Sequence, residues 1–234
     1  MRHGERRELN ASIRNIPMPD RLRHLPISFE GYPIPWFVPW IDGEPDVRHA
    51  DTEKWKRAIN KDLCWICGQT LGRHKAFVIG PMCAINRTTS EPPSHYDCAL
   101  YAAKACPFLS RPRMRRNEKD LPDGRIPPPG FALRRNPGAC IIWIVRETAR
   151  SRGYWLARAV AGNEGTMITL GEPVRLEFYA EGRPARRDEI MTSIETGLPE
   201  LRKLAERDGP DGLTFMQREI DKALRLINTA MEHA

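Results

Sequence analysis

Five of the six cysteines in this 234-residue chain lie within residues 61–106, KDLCWICGQTLGRHKAFVIGPMCAINRTTSEPPSHYDCALYAAKAC. This cysteine-rich stretch is the most informative part of the sequence for the fold. Two pairs of metal-ligating residues stand out in it, Cys64-x-x-Cys67, which is followed at once by glycine, and His95-x-x-Cys98. Glycine tolerates the positive φ of a tight turn, so both thiolates of the first pair can point inward. The four side chains are therefore predicted to bind one zinc ion in tetrahedral geometry.

The second pair lies where a helix is predicted to begin. Ser94 is a suitable N-cap, and Asp97 stands three residues later, as in a capping box. Residues i and i+3 lie on the same helical face. His95 and Cys98 in the first turn can therefore bring their ligand atoms to within about 4 Å of the first pair.

The stretch holds three further residues of ligand type. His74 and Cys83 lie between the two pairs, and either could take the place of His95 as the fourth ligand, Cys83 before His74. Cys106 lies about two turns beyond Cys98 in the same predicted helix, a rise of about 12 Å. These two cysteines cannot share one zinc ion, so Cys106 is predicted to be a small buried hydrophobic side chain.

The Cys-x-x-Cys-Gly knuckle, a hairpin predicted over residues 75–87 and a ligand pair in the first turn of a helix together resemble a treble-clef zinc finger. The resemblance covers residues 62–106 only. It implies a zinc-ligand role for Cys64, Cys67, His95 and Cys98. It implies no single function, because treble clefs occur in nucleic-acid binders, nucleases, ribosomal proteins and partner-binding modules. The remainder of the chain resembles uncharacterised bacterial and phage proteins, which implies no activity.

The charge of the chain favours a polyanionic partner. The formal net charge is +7 and the isoelectric point is about 9.3. An excess of basic over acidic residues is typical of nucleic-acid-binding proteins. The alternative interpretation is a solvated, mildly basic surface with no polyanionic partner.

The longest apolar run, ACIIWIV at residues 139–145, is far shorter than the roughly 20 residues that span a bilayer. The first ten residues carry charges of both signs and lead into no apolar segment, unlike a signal peptide. The sequence therefore predicts a cytoplasmic protein with no membrane partner. In that reducing compartment, closely spaced cysteines indicate a metal site rather than disulfides.

The predicted fold class is α+β, with a small treble-clef-like zinc module and a short antiparallel sheet packed by C-terminal helices. Residues 1–60 form an irregular segment rich in proline and aromatic residues, with a short helix from about Thr52 capped by Asp51. Its aromatic run, GYPIPWFVPWIDGEP, is predicted to cover part of the core; a ligand groove or a docking site for a protein partner is the alternative. The other predicted divisions are the zinc module at 61–107, a basic proline-rich arm at 108–138 and an α+β region at 139–234.

The α+β region has clear periodic patterns. ACIIWIVR is a buried strand candidate, and TMITL and VRLEFYA are predicted to be two strands around a turn at Gly171, Glu172 and Pro173. A helix is predicted after Pro184, broken near Gly197 and resumed from Pro199. A last helix, about 212–231, places six apolar residues on one predicted face: Phe215, Met216, Ile220, Ala223, Leu224 and Ile227.

Two classes of function fit these patterns. In the first, a zinc-stabilised protein binds nucleic acid through an arginine-rich arm, because guanidinium groups suit phosphate oxygens. The arm residues are Arg111, Arg113, Arg115 and Arg116.

In the second, the loop beside the zinc is the active site of an enzyme that acts on an anionic substrate. Cys83 is the candidate nucleophile, Arg87 would lower its pKa, and Glu91 is the candidate base for a zinc-bound water. No complete catalytic set is recognisable, so binding is preferred and enzymatic activity is left open.

Overall fold

The structure, a computed structural model, describes residues 7–111, 114–115, 137–159 and 164–232. The fold is α+β, as predicted, and every strand pair is antiparallel. The strands are β1 (Trp40–Ile41), β2 (Glu44–Pro45), β3 (His74–Ile79), β4 (Thr88–Thr89), β5 (Cys140–Arg146), β6 (Tyr154–Arg158), β7 (Thr166–Leu170), β8 (Arg175–Ala180) and β9 (Arg183–Pro184). The helices are α1 (Thr52–Lys61), α2 (Pro81–Asn86), α3 (Tyr96–Ala105), α4 (Pro107–Ser110), α5 (Arg187–Ala205) and α6 (Gly209–Glu232).

The strand β5 is the centre of the molecule, as its apolar sequence predicted. It lies between β3 and β8 in a sheet of order β3-β5-β8-β9, and all of its residues except Arg146 are buried. One face, with Trp143 and Val145, packs in the main core with residues of α2, α5 and α6. The other face, with Ile142 and Ile144, packs against α3. The sheet thus joins the cysteine-rich stretch to the C-terminal region, while the predicted four-part division of the chain stays a prediction.

The hairpin predicted over residues 75–87 is wrong. The strand β3 ends at Ile79, and α2 begins at Pro81, with Gly80 as its N-cap. Proline has no N–H to donate to a sheet and is pre-organised for the first position of a helix. The partner of β3 is the distant β5, with Ala76 opposite Ile144.

The predicted strands TMITL and VRLEFYA are both present, but they do not form one hairpin. The strand β7 pairs with β4 and β6, whereas β8 pairs with β5. Between them, the backbone at Gly171 passes so close to Gly153 that a Cβ at position 171 would lie 2.4 Å from the Gly153 carbonyl oxygen. This crossing sends the chain from one sheet to the other. Val174, the first residue of the predicted strand VRLEFYA, lies just before β8 and is exposed.

The predicted break in the helix near Gly197 is also wrong, since α5 runs unbroken through Gly197 and Pro199. Gly197 is buried, and a Cβ there would lie 2.8 Å from the Met82 sulfur, so the glycine allows α2 and α5 to pack closely. The helix begins at Arg187 rather than just after Pro184. The N-cap backbone N–H, that of Arg186, donates to the Glu189 carboxylate at 2.8 Å.

The last helix is present and slightly longer than predicted. Its buried residues are Met216, Ile220, Ala223 and Ile227, which follow the spacing of one helical face. Phe215 is exposed, contrary to the prediction, because it lies about 100° around the helix from Met216.

Two N-terminal predictions agree with the structure, namely the cap of α1 and the packing of the aromatic run on a buried residue. Asp51 caps α1 by accepting the backbone N–H groups of Glu53 and Lys54. In the aromatic run, Phe37 stacks on Trp65 with ring centroids 4.8 Å apart, so this run covers the cysteine-rich stretch. Within the parts of the chain that the structure describes, no helix combines the length and the apolar character needed to cross a bilayer.

Candidate metal centre

The first ligand pair lies on a tight knuckle. The Cys64 N–H donates to Gln69 O at 2.7 Å, and the Gly68 N–H donates to Cys64 O at 2.8 Å. Gly68 has a φ of +75°, and a Cβ there would lie 2.7 Å from the Trp36 ring. Glycine is therefore required both by the turn and by the aromatic side chain that covers it.

The second pair lies at the start of α3, one residue away from the predicted arrangement. His95, not Ser94, occupies the N-cap position, and it caps no N–H with its side chain. The backbone of Ser94 is instead paired with Ala76 through two hydrogen bonds of 2.7 and 2.9 Å. This bridge fixes the chain ahead of the helix. Cys98 still falls in the first turn, so the i, i+3 relation that the sequence predicted is preserved.

The four side chains converge on one point, as predicted. One potential ligand atom from each of Cys64, Cys67, His95 and Cys98 lies within 4.8 Å of all the others. His95 Nδ1 is 3.4 Å from Cys67 Sγ and 4.0 Å from Cys98 Sγ. The three cysteines are buried. The cluster could therefore hold a metal ion.

Hydrogen bonds orient the ligands toward that point. His95 Nε2 is 2.9 Å from Thr70 O, and a carbonyl oxygen can only accept, so Nε2 carries the proton. Nδ1 then faces the sulfur atoms and becomes a ligand atom once its proton is lost. Cys64 Sγ accepts two backbone N–H groups, from Cys67 and His95, each at 3.4 Å. These contacts favour a thiolate at Cys64.

The shifted pKa values of the side chains in the cluster favour the binding of a cation. Burial disfavours the Cys64 thiolate, but hydrogen bonds from Cys67, Cys98 and His95 outweigh this and lower the pKa of Cys64. Hydrogen bonds with Cys64 and Cys67 raise the pKa of Cys98, since neighbouring sulfur atoms cannot all carry negative charge. Burial opposes a charge on His95, but Cys64 and Cys67 raise its pKa to about 10. A bound metal ion would replace these protons.

A basic residue that the sequence analysis missed lies next to the cluster. Arg21 donates from Nε to Asp97 Oδ2 at 2.8 Å, and its charge acts on both Cys67 and Cys98. Three thiolates and one neutral imidazole around a divalent ion carry a net negative charge, which Arg21 would offset. Arg21 is distant in sequence from the cysteines, and no local pattern marks it.

The alternative ligands lie elsewhere. His74 is exposed at the start of β3, and Cys83 is half-buried in α2 against the main core. Cys106 follows the last residue of α3 and is not part of the cluster, as predicted. Burial raises the pKa of the Cys106 thiol.

The candidate catalytic residues are spread over a loop and a helix. Arg87 follows the last residue of α2 and forms a bidentate pair with Glu172, whose carboxylate oxygen Oε2 lies 2.9 Å from Nη2. Glu91 is exposed beyond β4. One surface cavity lies among N-terminal residues between Arg7 and Ile27, and a second is lined by residues 156–158 and 164–166; neither includes Cys83, Arg87 or Glu91. Their catalytic roles stay predictions.

The predicted nucleic-acid arm is described only in part. Arg111 is exposed and donates to the Tyr32 hydroxyl at 2.9 Å, and Arg115 is exposed. Arg113 and Arg116 lie outside the described residues.

Comparisons with protein-family models, with curated proteins and with solved structures found no match. The Cys₃His cluster is thus the feature with the clearest chemical meaning in this chain. It is a compact set of soft and nitrogen donors that could hold one metal ion.

Proposed function

We propose that the cluster binds one zinc ion as a structural centre that has the knuckle and the helix of a treble clef, with β3 and α2 in place of its hairpin. Three thiolates and an imidazole in a tetrahedral arrangement are a preferred ligand set of Zn²⁺. A site with four protein ligands leaves no position for a reactive water, which is the property of structural rather than catalytic zinc. The observation that carries this proposal is the convergence of all four ligand atoms within 4.8 Å.

The zinc would link the knuckle, which carries Cys64 and Cys67, to α3, which carries Cys98. The three cysteines belong to a small hydrophobic core together with N-terminal residues such as Leu22 and Leu25. A metal ion bound to their sulfur atoms would add to the stability that this small core provides.

We further propose that the zinc-stabilised fold serves to bind nucleic acid. The net charge of +7 supports a polyanionic partner. Arg111 and Arg115 are exposed at the start of the arginine-rich arm, directly after α4. A closed zinc site supports binding over zinc-water catalysis, so the enzymatic alternative has no specific observation in its favour.

The test is a gel-shift assay on short random-sequence DNA and RNA at increasing salt. Phosphate contacts release counterions, so we expect binding at low salt that falls steeply as salt rises. The triple substitution of Arg113, Arg115 and Arg116 by alanine should weaken binding on every sequence and reduce the salt slope by about 2–3. Absence of binding at low salt would overturn the proposal.

A further inference from the structure

Unpaired positive charge is concentrated at one end of the four-stranded sheet, where β3 begins and β5 ends. Five basic side chains are exposed there, and we refer to them as the basic end face: Lys61, Arg73, Arg146, Arg150 and Arg152. They come from three separate parts of the sequence, so no run of basic residues marks the face. It is distinct from the arm that begins at Arg111.

Backbone contacts bring these segments together. The Glu147 N–H donates to Arg73 O at 2.7 Å, and Arg146 lies directly opposite His74 across the β3–β5 pair. Arg152 Nη1 donates to Ile59 O at 2.8 Å, so it lies at the end of α1, close to where Lys61 is exposed. The face therefore spans α1, the β3–β5 edge and the turn that leads to β6.

The turn between β5 and β6 presents Arg150 to solvent. Thr148 and Ser151 are paired as an antiparallel bridge, with the Thr148 N–H donating to Ser151 O at 2.8 Å. Arg150 lies between these two residues at the tip of the turn. Because the Thr148–Ser151 bridge closes the turn, Arg150 projects into solvent.

The acidic residues at this end of the sheet are already engaged by a buried lysine. The Lys75 side chain is fully buried, and its Nζ lies 2.9 Å from Asp62 Oδ2 and 2.7 Å from Glu147 Oε2. Among the described residues, Lys61, Arg73, Arg146 and Arg150 have no carboxylate within ion-pair distance. Lys75 offsets one of the two negative charges of Asp62 and Glu147, so the five exposed cations leave this end of the sheet with an excess of positive charge.

We propose that the basic end face binds the phosphate backbone of nucleic acid, an inference that rests on the proposed function and names a surface for it. Four of the five cations are arginines, whose planar guanidinium groups match phosphate oxygens in bidentate geometry. The turn residues between Arg146 and Arg152 include no large apolar side chain that would enter a membrane. The side chains of the face would contact phosphate groups and not base edges, so binding through the face is independent of the nucleic-acid sequence.

The test compares two triple variants with the same change in charge. The first replaces Arg73, Arg146 and Arg150 by glutamine, all on the basic end face. The control replaces three exposed arginines on α5 and α6 by glutamine, namely Arg202, Arg218 and Arg225. Both variants and the wild type are titrated with a short random-sequence DNA duplex and with its single strand, over a range of salt. Retention of metal and the thermal midpoint confirm that each variant is folded.

We expect the face variant to lose about 10- to 100-fold in affinity and about 2–3 in salt slope, while the control stays within about 3-fold of the wild type. The single variant Arg150→Glu, at the tip of the turn, should also weaken binding and cannot act through the core. Equal losses in the two triple variants, or wild-type binding by the face variant, would overturn the inference and leave the proposed function intact. A wild type that binds no nucleic acid at any salt concentration would overturn both.

Discussion

At the level of single residues, one of two neighbouring cysteines belongs to the Cys₃His cluster and the other does not. Cys98 points into the cluster from the first turn of α3, whereas Cys106 follows the last turn and lies outside it. Both are close in sequence, and only their positions along the helix separate their roles. This makes them a matched pair for mutagenesis.

We predict that Cys98→Ala lowers zinc affinity by at least about 100-fold, because a ligand to the ion is lost outright. The variant should also lose the fixed tertiary structure of the knuckle, since zinc binding contributes directly to folding. Zinc content by elemental analysis and thiol titration measure the first effect. Cys106→Ala is the control and should retain one zinc per chain; equal loss of metal in both variants would contradict the assignment of Cys98.

A second residue-scale feature is the buried cation Lys75, which bridges Asp62 and Glu147. Burial opposes its charge, but the two carboxylates more than compensate and raise the pKa of Lys75 above its usual value. The hydrogen bond from Lys75 in turn lowers the pKa of Glu147 below its usual value. The stabilisation by Lys75 is therefore complete below its unfolded-state pKa and lost at higher pH. That by Glu147 is present above its unfolded-state pKa and lost as pH falls.

We predict that Lys75→Met lowers the free energy of unfolding by about 2 kcal/mol near neutral pH, because two carboxylates are left without their shared partner. The difference from the wild type should be largest between about pH 5 and pH 10 and should shrink outside that window. Urea unfolding at a series of pH values measures it. Lys56→Met removes an exposed ion pair with Glu53 and should change stability by less than about 1 kcal/mol at any pH. A Lys75→Met effect that does not vary with pH would rule out the charge-based explanation.

At the scale of elements, α5 packs closely on α2 at Gly197, where a Cβ would overlap the Met82 side chain. Gly197 is buried in the helix interior, and the Met82 side chain occupies the space that a Cβ would need. Glycine in a helix costs up to about 1 kcal/mol relative to alanine. The close packing of the two helices offsets that cost here.

We predict that Gly197→Val destabilises the protein by about 2 kcal/mol, because the side chain would push α2 away from α5. Glu195→Val introduces the same side chain at an exposed position of the same helix and should stay within about 0.5 kcal/mol of the wild type. Chemical denaturation of both variants gives the comparison. If the two substitutions cost the same, the helix contact at Gly197 is not the reason for the glycine.

Elements also show where sequence patterns were sufficient and where they were not. The strand β5, the cap of α1 by Asp51 and the buried face of α6 follow from local patterns of apolar and capping residues. The predicted hairpin over residues 75–87 is wrong because segments that are adjacent in sequence do not always pair as strands. The actual partner of β3 lies more than sixty residues away, and long-range pairing leaves no local signal.

At the scale of the whole molecule, the sequence could predict the candidate metal site better than the surface around it. The ligand spacing is a local property of a knuckle and a helical turn, so four residues could be named before the fold was known. Arg21, Thr70 and the basic end face depend on how distant segments are brought together. Arg21 contacts Asp97 of α3, Thr70 O contacts His95, and the basic end face forms where α1, β3 and β5 meet.

At the same scale, the cluster lies between the N-terminal half and the central sheet. The aromatic run around Phe37 packs on the knuckle at Trp65, and α3 packs on the far face of β5. A metal ion at the cluster would therefore stabilise the fold on both sides of the knuckle. Zinc bound there should raise the thermal midpoint, and the rise should grow with the logarithm of the ratio of free zinc concentration to Kd.

The most direct test of this account is X-ray absorption at the zinc edge on protein purified without chelator. We predict one zinc ion per chain with three sulfur neighbours at about 2.3 Å and one nitrogen neighbour at about 2.0 Å. An oxygen neighbour in the first coordination sphere, or a folded chain that holds no metal, would contradict the assignment of Cys64, Cys67, His95 and Cys98 as a closed structural site.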